Sequence, residues 1–163
     1  MKIGSALLFA AAVLTAQQVT SDQQFVTSAA YDELTQVKLG QAAYQNASNP
    51  QVKVFAKEMV DEHAGAVDKL MGIAALDNLS APTDLDKEHQ AEVDQLSKTS
   101  GAAFDKAYLA EVIKDHRQDL ALYQKEVTAG SSSDLKSWAA AEILTIQDHI
   151  ERAQKLAASL GAI

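Results

Sequence analysis

Three of the four histidines in this 163-residue chain lie near the middle of long segments with helical periodicity. Each falls on the apolar side of its segment, where a buried imidazole needs partners for both ring nitrogens. A fourth segment carries a carboxylate, Glu33, in line with its own apolar positions. Helical bundles build metal sites from side chains that meet in the core from facing helices. The pattern therefore predicts one metal site with four ligands, which are Glu33, His63, His116 and His149.

The segment around His63 is the clearest helix in the sequence. Asn49 can cap its first turn, and Pro50 suits the first helical position, where an N–H would have no partner. Residues at helical spacing then form one apolar stripe with His63 at its midpoint. That stripe consists of Val52, Ala56, Met59, His63, Ala66, Leu70 and Ile73.

A short link, residues 47–50, joins this helix to the preceding one, which carries Glu33. Short links place consecutive helices side by side and antiparallel. Glu33 and His63 lie equally far before and after Ser48 along the chain. We therefore expect their side chains at the same height in the bundle.

The expected ligands suit several divalent metals. Neutral imidazoles with one carboxylate bind Zn²⁺, Fe²⁺ or Cu²⁺, and the residue types do not choose among them. Met59 lies one helical turn before His63 and adds a thioether, a group that copper accepts. Glu142 shares a helix face with His149 but lies roughly 10 Å away along the axis. Met59 and Glu142 are therefore expected at the periphery of the site.

The composition favours helices throughout, because the chain has only two prolines and seven glycines. We predict an all-α fold, a ferritin-like four-helix bundle with a short extra helix between the second and third long helices. The first helix should start near Ser21, in a capping box with Gln24, and the third should end at a left-handed Gly130. The expected long helices are residues 22–46, 50–76, 101–129 and 134–160, and the short helix is residues 84–98.

The segment from Asp77 to Ser100 leaves the topology open. It can run along the bundle as a crossover, with a short helix capped by Thr83, as in ferritin-like folds. It can also be an excursion at one end, which would give an up-down bundle. His89 lies here among charged residues, so we expect it on the solvated surface.

Several other charged residues are expected outside the site. Asp105 should be structural, by bonding tyrosine or backbone groups on helix one or four, because it lies roughly 16 Å from His116 along the helix. Solvated helix edges should hold Glu58, Glu62, Glu111 and Asp115.

The N-terminal residues combine Lys2 with an apolar run from Ile3 to Ala16, and polar residues follow at once. This pattern is typical of a cleaved secretory signal, and the run is short for a membrane-spanning helix. We predict a signal peptide over residues 1–16, a single domain over residues 17–163, and a periplasmic or secreted location. The alternative is a retained N-terminal anchor.

The net charge of −8 limits the partners. An anionic surface repels phosphate backbones and anionic membranes and attracts cations, so we expect no nucleic-acid partner and no stable membrane insertion of the mature chain. The absence of cysteine excludes disulfides, thiolate metal sites and a lipid anchor at the cleavage site. No pattern identifies a protein partner.

Three segments carry a family resemblance: FAKEMVDEHAGAVDKL, GAAFDKAYLAEVIKDHRQDLALY and ILTIQDHIERAQKL. Together they resemble the bacterial domain-of-unknown-function 4142 family over Phe25 to about Leu160. The resemblance implies a ferritin-like bundle exported to the periplasm, with no established activity. The first two segments are also similar to a Met- and His-rich family of exported helical proteins linked to copper, although little of that richness remains here beyond Met59.

One departure from ferritin-like metal proteins bears on catalysis. Their di-iron sites use Glu-x-x-His on two helices. Here Val60 and Ile146 stand three residues before His63 and His149, so the bridging carboxylates are missing. We therefore expect an exported bundle that binds a divalent metal, and an enzyme is the weakest class. The alternative is a stress-related structural or interaction protein without metal, whose histidines bond one another and nearby carboxylates.

Overall fold

The computed structural model describes the backbone of residues 6–162 and the side chains of residues 21–162. The signal peptide predicted at residues 1–16 lies outside the described side chains. Within the described residues the chain forms helices and no strands, which confirms the predicted all-α fold. The helices are α1 (Ala6–Asn46), α2 (Pro50–Leu76), α3 (Lys87–Leu96), α4 (Gly101–Ala129) and α5 (Ser133–Ser159).

Local capping explains where α2 and α5 begin. The side chain of Asn49 accepts the N–H groups of Gln51 and Val52, and Pro50 occupies the first position of α2. The Oγ of Ser132 caps α5 in the same way. These side-chain acceptors satisfy N–H groups that a helix start leaves without intrahelical partners. The predicted cap of α2 is confirmed.

Two of the predicted helix starts are wrong, and so is the predicted conformation of one helix end. Ser21 does not start a helix, because α1 continues from Ala6 through a segment that has no proline and is rich in helix-forming alanine and leucine. Asp86, not Thr83, caps α3, since its carboxylate accepts the N–H groups of Glu88 and His89.

Gly130 ends α4 in extended conformation, with φ −61° and ψ 153°, rather than left-handed. A Cβ there would lie only 2.7 Å from the carbonyl oxygen of Glu126. Glycine is therefore needed at this helix end for space and not for a positive φ.

The ends of the bundle decide its topology. At one end, Asp105 in the first turns of α4 accepts hydrogen bonds from Ser48 and Asn49, which join α1 to α2. At the other end, Asp22 in α1 accepts hydrogen bonds from Ser131 and Ser132, which join α4 to α5. Helix α4 therefore starts at the same end as α2, and the segment with α3 runs the length of the bundle. The crossover of a ferritin-like fold is correct, and the up-down alternative is not.

The core consists of two apolar clusters separated by a polar layer. One cluster includes Leu39, Met59 and Tyr108, and the other includes Val26, Leu70 and Trp138. Between them, at mid-height, lie the four side chains predicted as ligands, all of them buried. The surrounding apolar side chains keep water away from this layer, which strengthens every electrostatic interaction within it. The layer consists of Glu33, His63, His116 and His149.

Candidate metal centre

The rings of His63, His116 and His149 form a nearly equilateral triangle. Their centroids are 5.3 Å apart for His63 and His116, 5.1 Å for His63 and His149, and 5.2 Å for His116 and His149. Each ring comes from a different helix, and each offers one nitrogen within 4.8 Å of the other two. The exposed fractions are 5%, 0% and 0%, so the triangle is closed to bulk water. The prediction that the three histidines converge is confirmed.

Hydrogen bonding shows which nitrogens face the centre. The Nε2 of His116 lies 3.1 Å from the Nδ1 of His149, and the Nε2 of His63 has no hydrogen-bond partner. Two nitrogens bound to one tetrahedral zinc lie about 3.3 Å apart, since the Zn–N distance is about 2.0–2.1 Å. The pair formed by His116 and His149 is therefore already close to the spacing that one ion requires.

Glu33 lies behind His63 rather than beside the other rings. Its Oε2 is 2.6 Å from the Nδ1 of His63, and its Oε1 accepts a hydrogen bond of 2.7 Å from the Tyr123 hydroxyl. Both oxygens are thus engaged, and the cluster of atoms close enough to share an ion contains the three histidines without Glu33. The short bond confirms that Glu33 and His63 stand at the same height, and it makes the carboxylate a hydrogen-bond partner of the His63 ring.

His149 has a carboxylate behind it as well. Its Nε2 lies 2.7 Å from the Oε2 of Glu62, a residue of α2. The sequence pattern assigned Glu62 to a solvated edge, and its side chain is indeed 44% exposed, but its inner oxygen reaches a fully buried ring. A carboxylate on the far nitrogen fixes the tautomer of a metal-binding histidine and makes the ring a stronger ligand.

The third ring faces Asp119. The Nδ1 of His116 has no hydrogen-bond partner, and the Oδ2 of Asp119 lies 3.7 Å from it, one helical turn along α4. Each histidine of the triangle therefore has an acidic side chain on the nitrogen that points away from the centre: Glu33 for His63, Glu62 for His149 and Asp119 for His116.

Burial favours the uncharged forms of His116, His149 and Asp119 in the metal-free protein. Burial lowers the pKa of His116 well below its usual value, and the neighbouring rings of His63 and His149 lower it further. Burial and His63 also lower the pKa of His149, against the opposing effect of Glu62. The pKa of Asp119 rises to about 9, because the group is buried and lies near Asp32 and Asp115. Uncharged imidazoles have the free lone pairs that a metal requires.

A family model described as a domain of unknown function (DUF4142) matches residues 9–156. The chain belongs to this family. A search of curated proteins gives no match. In fold, the chain is similar to the crystal structure of a DUF305 protein from Streptomyces coelicolor, inferred to be secreted, with a TM-score of 0.75 and 16% sequence identity. The similarity covers 86% of this chain and 94% of that one, and it shows a shared fold. Across the described residues, no helix is long and apolar enough to cross a bilayer.

The two peripheral candidates of this DUF4142 chain lie outside the triangle. Met59 is fully buried in one of the two apolar clusters. Glu142 is half-buried, and burial together with Glu33 raises its pKa to about 7. Glu142 does not belong to the group of side chains whose ligand atoms lie within 4.8 Å of one another.

The interactions of His89 and Asp105 settle two further predictions. His89 is half-buried rather than solvated: it stacks on Tyr31, with ring centroids 5.0 Å apart, and bonds Asp86. Asp105 is structural, as predicted, and its partners are groups of the α1–α2 turn. The apolar stripe of α2 could not reveal the role of Glu62, because this residue lies at the border of the stripe.

Proposed function

We propose that this protein binds one divalent transition-metal ion through the imidazoles of His63, His116 and His149, as an exported metal-binding bundle rather than an enzyme. The observation that carries the proposal is the triangle of rings, in which each inner nitrogen faces the others and each outer nitrogen faces a carboxylic acid. Three imidazole ligands suit Zn²⁺ and Cu²⁺, and Fe²⁺ less well, because a ferrous site usually includes a carboxylate ligand.

The position of the proton on the His116 ring connects metal binding with the protonation of Asp119. When Glu62 accepts the Nε2 proton of His149, the Nδ1 of His149 must accept the bond from the Nε2–H of His116. An ion would need the lone pair of that Nε2, so the proton would move to Nδ1, which faces Asp119. The Nδ1–H then donates a hydrogen bond to Asp119, which accepts it best when ionised but holds a proton in the metal-free protein, because its pKa is about 9. We therefore expect metal binding to release the Asp119 proton to solvent.

A metal-free structural role is the competing class, and the direct bond between His116 and His149 favours it. Two unpartnered atoms argue against it, the Nε2 of His63 and the Nδ1 of His116. Buried polar atoms without partners are rare in native proteins and cost stability. A ring cluster that served only the fold would be expected to pair them.

Titration of chelator-treated protein with Zn²⁺ tests the proposal directly. We expect one ion per chain, proton release measured in buffers of different ionisation enthalpy, and loss of the ion at about pH 5 as the imidazoles gain protons. His63→Ala should weaken binding more than 100-fold, because removal of an outer carboxylate alone typically costs 10–100-fold. The matched control is His89→Ala, which removes the one histidine outside the triangle.

Two outcomes would refute the metal site: no bound ion at neutral pH, or equal affinities in the His63→Ala and His89→Ala variants. An acceleration of Fe²⁺ oxidation in air by the protein would instead indicate redox catalysis. Export is part of the proposal, and it is supported by the N-terminal pattern and by the inferred secretion of the DUF305 neighbour. Recovery of the chain from the periplasm, shortened after about residue 16, would test it.

A further inference from the structure

A second polar site lies on the side of the bundle covered by the crossover. A cavity of about 80 Å³ opens there between α1, α3 and α4, large enough for an ion with several waters. It has no histidine of the triangle in its lining. The lining groups that matter here are Asp32 and Gln36 from α1, Glu92 from α3, and Asp115 and Asp119 from α4.

Carboxylates outnumber basic groups in this cavity. Glu92, Asp115 and the adjoining Glu111 each bring an oxygen within 4.8 Å of the others. The basic group beside them is Lys114, which contacts Glu111 and lies 3.4 Å from Asp115 and 3.9 Å from Glu92. Its side chain is 54% exposed, so its ammonium group neutralises the outer edge of the cluster. His89 also lines the cavity but is bonded to Asp86.

An amide oxygen in the cavity lacks a partner. Gln36 is only 2% exposed, and its Nε2 donates to Asp115 over 3.3 Å while its Oε1 accepts no hydrogen bond. Flipping the Gln36 amide would place its oxygen against the Asp115 carboxylate. Both groups are acceptors, so the observed orientation is the favourable one. The Oε1 of Glu92 also accepts no hydrogen bond, and the Lys114 ammonium lies 3.9 Å from it. Buried oxygens without donors are what a bound cation satisfies.

We infer that this cavity is a second cation site, which takes a hard divalent cation such as Ca²⁺ through the carboxylates of Glu92 and Asp115 and the amide oxygen of Gln36. Oxygen ligands from three helices fit the irregular coordination of calcium better than the strict octahedron of magnesium. The proposed ligands differ from those of the histidine triangle, whose nitrogens select other metals, although Asp119 lines the cavity and also faces His116. A raised pKa of Glu92, about 8 because of burial and its neighbours Glu111 and Asp115, agrees with carboxylates that lack a counter-cation.

Calorimetric titration of the full chain with CaCl₂ in 0.15 M NaCl tests this site. We expect one Ca²⁺ per chain, and at least tenfold weaker binding in Glu92→Gln and in Asp115→Asn. The matched control is Glu88→Gln, an exposed carboxylate on the same short helix, which should bind Ca²⁺ like the unaltered protein. Lys114→Met should tighten binding, because the lysine ammonium competes with the ion for the same oxygens.

Thermal unfolding of the unaltered chain gives a second readout that needs no variant. Ca²⁺ should raise the melting temperature more than NaCl at equal ionic strength, and the difference should vanish in Glu92→Gln. Equal effects of the two salts, or Ca²⁺ binding in Glu92→Gln as tight as in Glu88→Gln, would overturn the inference. Calcium binding by His63→Ala, and Zn²⁺ binding by Glu92→Gln, separate a failure of this site from a failure of the histidine triangle.

Discussion

The two helical hairpins, α1–α2 and α4–α5, repeat the same spacing along the chain. Every helix end in the second hairpin that can be compared follows its counterpart in the first by the same number of residues. Asp22 and Asp105 have this separation as well, and each binds the turn of the opposite hairpin. The matching ends are Asn46 with Ala129, Pro50 with Ser133, and Leu76 with Ser159.

The hairpins differ where they meet in the middle of the bundle. At the same separation, Glu33 of α1 matches His116 of α4, and His63 of α2 matches Ile146 of α5. His149 has Ala66 as its counterpart, so at each of these positions on the second helix only one hairpin has a histidine. A symmetric frame with equivalent ligands on both sides would hold two metals, as di-iron bundles do.

The comparison shows that the ends of the helices and the side chains at mid-height are set by different requirements. The helix ends and the aspartate caps must match for two hairpins to pack into one bundle. The mid-height positions need not match, and their asymmetry leaves three inner nitrogens around one centre, with Glu33 behind one of them. The geometry favours a mononuclear site.

The largest expected effect tests the symmetric part of the structure. Asp22→Ala and Asp105→Ala each remove a buried carboxylate that accepts two backbone N–H groups and a serine hydroxyl. We expect each to lower the free energy of unfolding by about 2–4 kcal/mol, since the turn donors are left without partners. Urea denaturation at neutral pH measures both values.

The two aspartates lie at opposite ends of the bundle, so the double variant should show the sum of the single losses within about 0.5 kcal/mol. A large loss for one aspartate and none for the other would show that the hairpins are not equivalent at their ends.

A prediction of intermediate size tests the mid-height positions, where the two hairpins differ. Glu33→Gln keeps the shape of the side chain but removes the charge behind His63, so Zn²⁺ affinity should fall about 10–100-fold. Competition with a coloured chelator measures this change. Tyr123→Phe, which leaves Glu33 and His63 in contact, is the control and should have the smaller effect. If the Glu33→Gln variant binds Zn²⁺ as tightly as the unaltered protein, Glu33 does not contribute to metal binding.

The smallest expected effect concerns Asp119, whose counterpart in the first hairpin is the neutral Gln36. Its pKa is about 9 in the folded protein against an ordinary 3.8, so the folded state holds a proton that the unfolded chain loses as pH rises between these values. Stability from this group is therefore lost with rising pH. Asp119→Asn gives α4 an amide like that of α1 and removes this loss.

Between pH 5 and pH 8, with chelator present, we expect the unfolding free energy of the Asn variant to fall less than that of the unaltered protein, by about 1 kcal/mol, because Asp32 and Asp115 share the titration. Urea midpoints at the two pH values measure it. Parallel pH profiles would mean that Asp119 is ionised in the folded core.

The sequence was sufficient to predict the long helices and the convergence of the histidines, because periodicity and a short link fix which side chains share a height. Glu33 and His63 illustrate this, since equal distances from Ser48 led to a bond of 2.6 Å. The crossover was not decided by sequence, since it depends on which turn Asp105 reaches across the bundle. Likewise Glu62 is an ordinary charged residue in the sequence, and only packing sets it against the buried ring of His149.

The repeat of the two hairpins also escaped sequence reading, because it lies in spacing rather than in residue identity. Gly40 and Tyr123 stand at matching positions, although one has no side chain and the other has a large aromatic one. A Cβ on Gly40 would lie 2.7 Å from Val60 and 2.9 Å from the Ala56 carbonyl oxygen, whereas Tyr123 fills the core and bonds Glu33. Local packing dictates each residue, so the common plan becomes visible only from the helix ends.

The three rings that form the triangle come from α2, α4 and α5, and so from both hairpins. An ion held among them would cross-link the first half of the chain to the second, and it could escape only when the hairpins separate. We therefore expect the rate of metal loss to an excess of chelator to become independent of chelator concentration. That limiting rate would equal the rate at which the two hairpins separate, and it would not measure the strength of the metal–nitrogen bonds.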